Sequence, residues 1–327
     1  MSAAELYDFI VIGAGVQGSF TAYQLATRNK KTLLLEQFTL PHTRGSSHGQ
    51  TRLIRKAYEQ DFYTQMMNEC YELWAKLERE TGATLYRRTG LLVMGPESSQ
   101  GYLGFKKSLE KNKTPMVVLT PENFNQHIPN VILADGDGAF VDTTAGVLYA
   151  DRALKVVQVV RINVCYWKEK IADTYHVKKR FPCFLLTEGD EAKSHIYGLP
   201  SNEYPGLMKI CYHSGTETDP DQRDKLTDKS DVDILQRYIA RHLPGLIPQP
   251  AVVESCMYTV TPDHHFVLDC HPAHGNIVIG AGFSGHGFKF GPMVGKLLCE
   301  LSLGEVPSYD LSPFRISRFQ TNIKSSL

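Results

Sequence analysis

The chain has 327 residues, 42% of them hydrophobic, which is typical of a soluble globular protein of about two domains. Its 35 basic and 35 acidic side chains cancel, and no apolar run approaches the ~18 residues of a membrane-spanning helix, so neither nucleic acid nor a membrane is an expected partner. The seven cysteines include no pair at the CxxC spacing of zinc sites, and their odd number disfavours a disulfide framework, so we predict a reducing compartment and no metal.

The first predicted elements are a strand, a helix and a second strand. Residues 9–13 form an apolar strand that stops at glycine, and residues 31–36 form the second one. The turn before the helix matches the GxGxxG pattern with Gly13, Gly15 and Gly18. Such glycines let the backbone approach a pyrophosphate closely, and Glu36 is placed to accept hydrogen bonds from ribose hydroxyls. The unit predicts a dinucleotide site, the alternative being a glycine turn without ligand, and it does not separate FAD from NAD.

The rest of the chain mixes helices and strands. Helices are predicted from apolar periodicity at residues 61–80, 106–113, 145–158, 231–243 and 292–303. Strands are predicted at residues 91–94, 116–119, 159–167, 195–199, 207–212, 252–258, 266–268 and 276–279. The predicted helix that ends at residue 158 meets the next strand without an intervening Gly, Pro, Asn or Asp. This is unusual, because such residues normally form the turn between two elements.

A second glycine-rich turn follows the last predicted strand. Its glycines are Gly280, Gly282, Gly285 and Gly287. They allow the backbone to lie against a flat ring, and the helix start beyond them can stabilise negative charge at one edge of a reduced flavin. A simple NAD dehydrogenase has no evident need for a second turn of this kind, so we predict FAD.

Basic residues are concentrated in one loop of this neutral chain. Within 13 residues lie Arg44, His48, Arg52, Arg55 and Lys56. An arginine folded over the cofactor could bind a small carboxylate through two hydrogen bonds, but the spacing fits an exposed basic loop equally well. A later strand would place Lys209, Cys211 and His213 on one face, although a single lysine or histidine in a strand is more often structural.

Taken together, these stretches resemble one known family. The strings IVIGAG, RGSSHGQTR, ESCMYT and IVIGAGFSGHGFK, with other matches over nearly the whole chain, resemble the sarcosine oxidase family of flavoproteins. The resemblance implies an α/β fold in which a FAD-binding Rossmann-type domain is interleaved with an α+β substrate domain on an antiparallel sheet. It assigns residues 1–60, 140–158 and 251–327 to the FAD domain, and mainly 61–139 and 159–250 to the substrate domain.

The resemblance also implies roles for single residues. Cys256 matches the cysteine that bonds covalently to the flavin. Arg55 and Lys289 match the pair that binds the substrate carboxylate. Lys209 matches the lysine that promotes reaction with O2, and Arg52 acts together with it. The other matched substrate and active-site positions are Tyr197, His213, Tyr258, His48 and Thr51. The other cofactor-binding positions are Gly13, Gly15, Gly18, Glu36, Arg44, Ser46, Ser47, Gly282, Gly285 and Gly287.

The implied reaction is the oxidation of a secondary amine acid such as sarcosine or L-pipecolate. Hydride passes to the flavin, which carries this step, and O2 is reduced to H2O2. The last three residues, Ser325, Ser326 and Leu327, approximate the peroxisomal SKL signal, so we expect a peroxisomal location and an import receptor as partner. We expect a monomer.

The resemblance breaks at the join of residues 158 and 159. Family members carry there a segment of ~60 residues, enough for several strands and helices, and it is absent here. The missing segment includes strands that would complete the nucleotide-binding sheet, so we expect that sheet to be incomplete and its open edges to favour aggregation. The alternative function is therefore a truncated, catalytically impaired form that lacks part of the FAD domain.

Overall fold

A computed structural model describes residues 6–38, 45–47, 49–150, 164–187, 193–202, 204–215, 229–254 and 258–322. Up to residue 150 the elements are, in chain order, β1 (Phe9–Ile12), α1 (Val16–Thr27), β2 (Thr32–Leu35), β3 (Thr51–Ile54), α2 (Asp61–Thr81), β4 (Tyr86–Arg88), β5 (Leu91–Pro96), α3 (Gln100–Lys111), β6 (Met116–Leu119), α4 (Pro121–His127), β7 (Asp137–Asp142) and β8 (Gly146–Tyr149). From residue 164 they are β9 (Val164–Glu169), β10 (Cys183–Leu186), β11 (Ile196–Leu199), β12 (Leu207–Tyr212), α5 (Ser230–His242), β13 (Leu246–Glu254), β14 (Val267–His271), β15 (His274–Ala281) and α6 (Gly291–Ser302).

The first three elements form the predicted dinucleotide-binding unit. β1 and β2 pair in parallel, with Phe9 opposite Thr32, and α1 connects them. Close packing of α1 on β1 requires glycine at position 18, because a Cβ atom there would overlap the carbonyl of Gly13. In the part of the chain that is described, no third strand joins this sheet, which agrees with the expectation of an incomplete sheet.

One face of the β1–β2 sheet is apolar and in contact with solvent. Val11 faces α1 at Gly18, whereas Ile10 and Ile12 are 61% and 85% exposed. Leu35, at the end of β2, is 43% exposed. Because successive side chains of a strand point to opposite faces, the face opposite α1 is uncovered within the described ranges.

A large sheet forms the scaffold on the other side of the site. Its eight strands follow the order β13, β9, β12, β11, β10, β5, β7, β6. Every neighbouring pair is antiparallel except β5 with β10, which is parallel. The helix α5 packs against β12 and β13, and the core between them contains Trp167, Phe184 and Tyr238. The sheet confirms the predicted α+β half of the fold.

A second core lies around α2, α6 and the β14–β15 hairpin. It contains the large buried side chains Tyr63, Trp74, Phe266 and Phe290. The amphipathic helix α2 was predicted at residues 61–80 and ends at Thr81, because Gly82 adopts a left-handed φ of 66°. Within the described ranges, no helix has both the length and the hydropathy needed to cross a bilayer.

The predicted helix at residues 145–158 is wrong over its first turn. Residues Gly146–Tyr149 form β8, which pairs antiparallel with both β3 and β4. The sequence GVLY has a β-branched and an aromatic residue, and pairing on both sides outweighs the weak local preference for helix. Residues 151–163, including the join of residues 158 and 159, lie outside the described residues.

Candidate active site

A cavity of about 130 Å³ lies between the dinucleotide-binding unit, the large sheet and the second glycine-rich turn. Twelve of the predicted site residues line it: Ser46, Ser47, Thr51, Arg52, Arg55, Tyr197, Lys209, His213, Tyr258, Gly285, Gly287 and Lys289. Arg44, His48 and Cys256 lie outside the described residues. Five predicted residues do not line the cavity: Gly13, Gly15, Gly18, Glu36 and Gly282.

At one end of the cavity lies the start of α1, whose residues Val16 and Gln17 line it. Gly15 precedes the helix and has no side chain to cap it. The hydroxyl of Ser47 accepts a hydrogen bond from the N–H of Val16 at 2.9 Å, and the carboxylate of Glu36 accepts one from the N–H of Ala14 at 3.1 Å. A helix N-terminus of this kind, with its positive dipole end, suits a pyrophosphate.

At the other end, the glycine-rich turn packs closely against two aromatic side chains of the site. Gly285 has a φ of 76°, which favours glycine. A Cβ atom at this position would overlap the rings of Tyr258 and His213. A glycine-rich turn at one end of the cavity and a helix N-terminus at the other are two features that dinucleotide cofactors such as FAD require.

Lys209 and Arg52 meet at one backbone carbonyl. Lys209 lies on β12 and is 7% exposed, and its Nζ donates to the carbonyl of Thr51 at 3.4 Å. The guanidinium of Arg52 donates to the same oxygen at 2.9 Å and lies 5.2 Å from the ring centre of Phe288. The large sheet and β3 thus place two cations side by side in the cavity wall.

Arg55 and Lys289 form a second pair of cations. The guanidinium of Arg55 donates to the carbonyl of Ala57, and the ammonium of Lys289 donates to the carbonyl of His286 at 3.4 Å. Burial lowers the pKa of Lys289 well below its ordinary value, and the charges of Arg55 and Arg52 lower it further. Because none of the described lining residues is acidic, an anionic ligand would compensate these charges.

Two histidines and two tyrosines lie beside these cations. His213 stacks on His195, with ring centres 6.2 Å apart and an interplanar angle of 8°. Burial lowers the pKa of His213 to about 3 and that of His195 to about 4, and nearby charges, including that of Arg55, act in the same direction. The hydroxyls of Tyr197 and Tyr258 are 3.4 Å apart. Both histidines are therefore neutral near pH 7.

Three residues of this region, one buried and two partly buried, were missed in the sequence. His195 stands two positions before Tyr197, and His286 stands between two glycines of the predicted turn. Tyr58 follows the basic loop and packs under its arginine. The signal for His195 and His286 was their position beside predicted site residues, whereas nothing in the spacing pointed to Tyr58.

A helix N-terminus after a GxGxxG turn, a second glycine-rich turn and a cluster of cations around one cavity are typical of a flavin-dependent oxidoreductase. The family model described as "FAD dependent oxidoreductase" matches residues 8–161 and 162–301. The chain belongs to this family and, within it, to the sarcosine oxidases. It is 46% identical to the peroxisomal sarcosine oxidases of Mus musculus and Homo sapiens over 387 aligned residues, which cover 99% of each chain.

The fold is also that of a solved amino acid oxidase. The chain superposes on NikD, an amino acid oxidase essential for nikkomycin biosynthesis, with a TM-score of 0.78 and 17% identity, covering 94% of this chain and 97% of that one. At this identity, the similarity supports the fold alone.

The alignment with the mammalian relatives is longer than the chain. Its 387 positions exceed the 327 residues by 60, so at least that many positions of the relatives have no counterpart here. The family match breaks between residues 161 and 162, three residues after the predicted join. An internal block is therefore absent from this chain, as the motifs predicted, while the described cavity keeps its cations and its glycine turn.

Proposed function

We propose that this chain oxidises a small secondary amine acid, such as sarcosine or L-pipecolate, with FAD as hydride acceptor and O2 as the final oxidant, giving H2O2. The observation that carries the proposal is the pair Arg55 and Lys289, buried in a cavity whose described lining has no acidic side chain. The names of the mammalian relatives support sarcosine as one substrate.

Arg55 and Lys289 would bind the substrate carboxylate. The planar guanidinium of Arg55 matches a carboxylate in two hydrogen bonds, and the ammonium of Lys289 adds a point charge. Binding relieves the repulsion between the two cations, so a carboxylate is bound more tightly than a neutral group of the same shape. The carboxylate also fixes the orientation of the carbon that loses hydride.

The amine would lie near His213 and Tyr258 in its neutral form. A positively charged amine beside two buried cations is disfavoured, so the site selects the neutral amine. The low pKa of His213 means that its imidazole accepts a hydrogen bond without holding a second proton. A neutral amine has the lone pair that hydride transfer requires, and the Tyr197–Tyr258 pair would close the site on that side.

The cofactor would be held at both ends of the cavity. FAD, when bound, supplies the hydride acceptor and the route of electrons to O2. The N-terminus of α1, with Ser46 and Ser47, would hold the phosphates, and Gly285 and Gly287 would lie against the ring. Lys209 and Arg52 would place positive charge where negative charge develops during reduction of O2. By resemblance, the thiol of Cys256 would anchor the ring covalently.

Two observations support a peroxisomal location. The C-terminal Ser-Ser-Leu approximates a signal read by an import receptor, and the mammalian relatives are named peroxisomal. Relatives named monomeric sarcosine oxidase, such as that of Bacillus sp. (strain B-0618), support a monomer as the active unit.

The test is the absorbance and O2 uptake of the purified chain. We expect a yellow protein that keeps flavin absorbance after denaturation and consumes O2 with sarcosine or L-pipecolate, releasing H2O2. Cys256→Ala should release the flavin on denaturation, whereas the matched control Cys270→Ala should retain it. A colourless chain without O2 uptake would instead support the truncated, impaired form. Flavin that stays attached in Cys256→Ala would show that the anchor is wrong.

A further inference from the structure

Tyr58 lies beneath both cations of the proposed carboxylate site. Its ring centre is 4.4 Å from the guanidinium carbon of Arg55 and 5.9 Å from the ammonium nitrogen of Lys289. The side chain is 2% exposed and is not among the residues that line the cavity. Tyr58 therefore acts on a substrate only through the two cations.

The aromatic ring of Tyr58 can stabilise two neighbouring cations without an acidic side chain. Arg55 and Lys289 repel each other, and burial disfavours the charge on both. An acidic side chain between them would remove this penalty but would compete with the substrate for the same hydrogen bonds. The face of an aromatic ring attracts cations without offering a carboxylate, and this attraction grows when water is excluded.

We propose that Tyr58 is a positioning residue that keeps Arg55 and Lys289 charged and close together until a carboxylate binds. The inference rests on the proposed function, because it assumes that these two cations hold the substrate. Phe105 contributes less to this effect. Its ring centre lies 5.2 Å from the guanidinium carbon of Arg55, and the ring contacts Arg55 but not Lys289.

The ring, rather than the hydroxyl, carries this role. The hydroxyl of Tyr58 is buried and makes no hydrogen bond of ordinary geometry among the described residues, although it lies close to the guanidinium of Arg55. Burial raises its pKa above the ordinary value, so it stays neutral and offers no negative charge to the cations. Phenylalanine should therefore replace tyrosine here with little loss, because it keeps the ring that contacts both cations.

The experiment measures acetate binding by titration calorimetry, because acetate has the carboxylate but no amine to oxidise. The unmodified chain should bind acetate, and Tyr58→Phe should bind it equally well. Tyr58→Leu should bind it about tenfold more weakly, and Phe105→Leu should show a smaller loss. In steady-state assays, Tyr58→Leu should raise the KM for sarcosine about tenfold and change kcat less than threefold.

Two results would overturn the inference, and they differ from a failure of the proposed function. Equal acetate affinity in Tyr58→Leu and the unmodified chain would show that the ring does not hold the cations. A loss in Tyr58→Phe as large as that in Tyr58→Leu would assign the effect to the hydroxyl. If the unmodified chain itself binds no acetate, the carboxylate site fails and this inference fails with it. Tyr58→Met, which keeps much of the volume without a ring, replaces Tyr58→Leu if that variant does not fold.

Discussion

His213 and His195 are two residues of the site whose pKa is strongly lowered by folding. Burial holds the pKa of His213 at about 3, whereas a histidine in the unfolded chain titrates near 6.5. Between these values the unfolded chain binds a proton that the folded chain does not. The contribution of the neutral histidine to the free energy of unfolding is therefore fully present above pH 6.5 and is lost as the pH falls toward 3.

We predict that the free energy of unfolding falls between pH 7 and pH 5, and that His213→Asn makes this fall smaller by about 2 kcal/mol. Urea denaturation at the two pH values measures the difference. His274→Asn, which removes an exposed histidine at the start of β15, should leave the fall unchanged. The same pH dependence in His213→Asn and the unmodified chain would contradict the prediction.

At the scale of elements, α2 fixes the turn that carries Lys289. The indole Nε1 of Trp74 donates to the backbone carbonyl of Lys289 at 2.9 Å, and the thiol of Cys70 donates to the same oxygen at 2.9 Å. The Trp74 ring also stacks on Phe288, with an interplanar angle of 6°. The position of the ammonium in the cavity thus depends on a helix that does not itself line it.

Trp74→Phe removes the stronger of the two donors and should weaken acetate binding about threefold to tenfold, as the loss of one buried hydrogen bond of ~1 kcal/mol implies. Trp167→Phe is the matched control, because Trp167 is equally buried and its Nε1 donates to the carbonyl of Ile210 at 3.3 Å in the large sheet. Both variants should lose stability in urea, but only Trp74→Phe should lose acetate affinity. An equal loss of acetate affinity in the control would show that general destabilisation of the fold, rather than loss of the Trp74 hydrogen bond, weakens binding.

The local parts of this fold could be predicted, and the long-range parts could not. Gly13, Gly15 and Gly18 act within one turn, so their spacing alone indicates a phosphate site. The stacking of His195 on His213 depends on the antiparallel pairing of β11 with β12. Beyond the two strands, the backbone N–H of His213 donates to the backbone carbonyl of His195 at 2.8 Å. That register is a tertiary property, as is the pairing that makes β8 a strand. The roles of the site residues came from the resemblance, and they remain proposals.

At the scale of the whole molecule, the absent block leaves the β1–β2 sheet without neighbours among the described residues. The exposed Ile10 and Ile12 belong to the face opposite α1. Open strand edges with apolar side chains are sites of association between chains. The isolated protein should therefore associate as its concentration rises, although each copy contains the complete described site.

We predict that Ile10→Thr with Ile12→Thr lowers this association, because threonine keeps the preference for strand and removes apolar surface. Sedimentation velocity over a range of concentrations measures the effect. The free energy of unfolding should change by less than about 0.5 kcal/mol, as for other surface substitutions. Ile54→Thr, at a fully buried position of β3, should instead cost several kcal/mol. Unchanged association in the double variant would show that another surface is responsible.

The break between residues 161 and 162 separates two properties of a cofactor enzyme. The groups that would meet the substrate come from stretches on both sides of the break and still converge on one cavity. The sheet beneath the nucleotide end is reduced to two strands in the described residues. The absent block thus concerns the support under the cofactor, whereas the groups that would meet the substrate lie in stretches that remain. Loss of the block can weaken cofactor binding while the substrate groups stay in place.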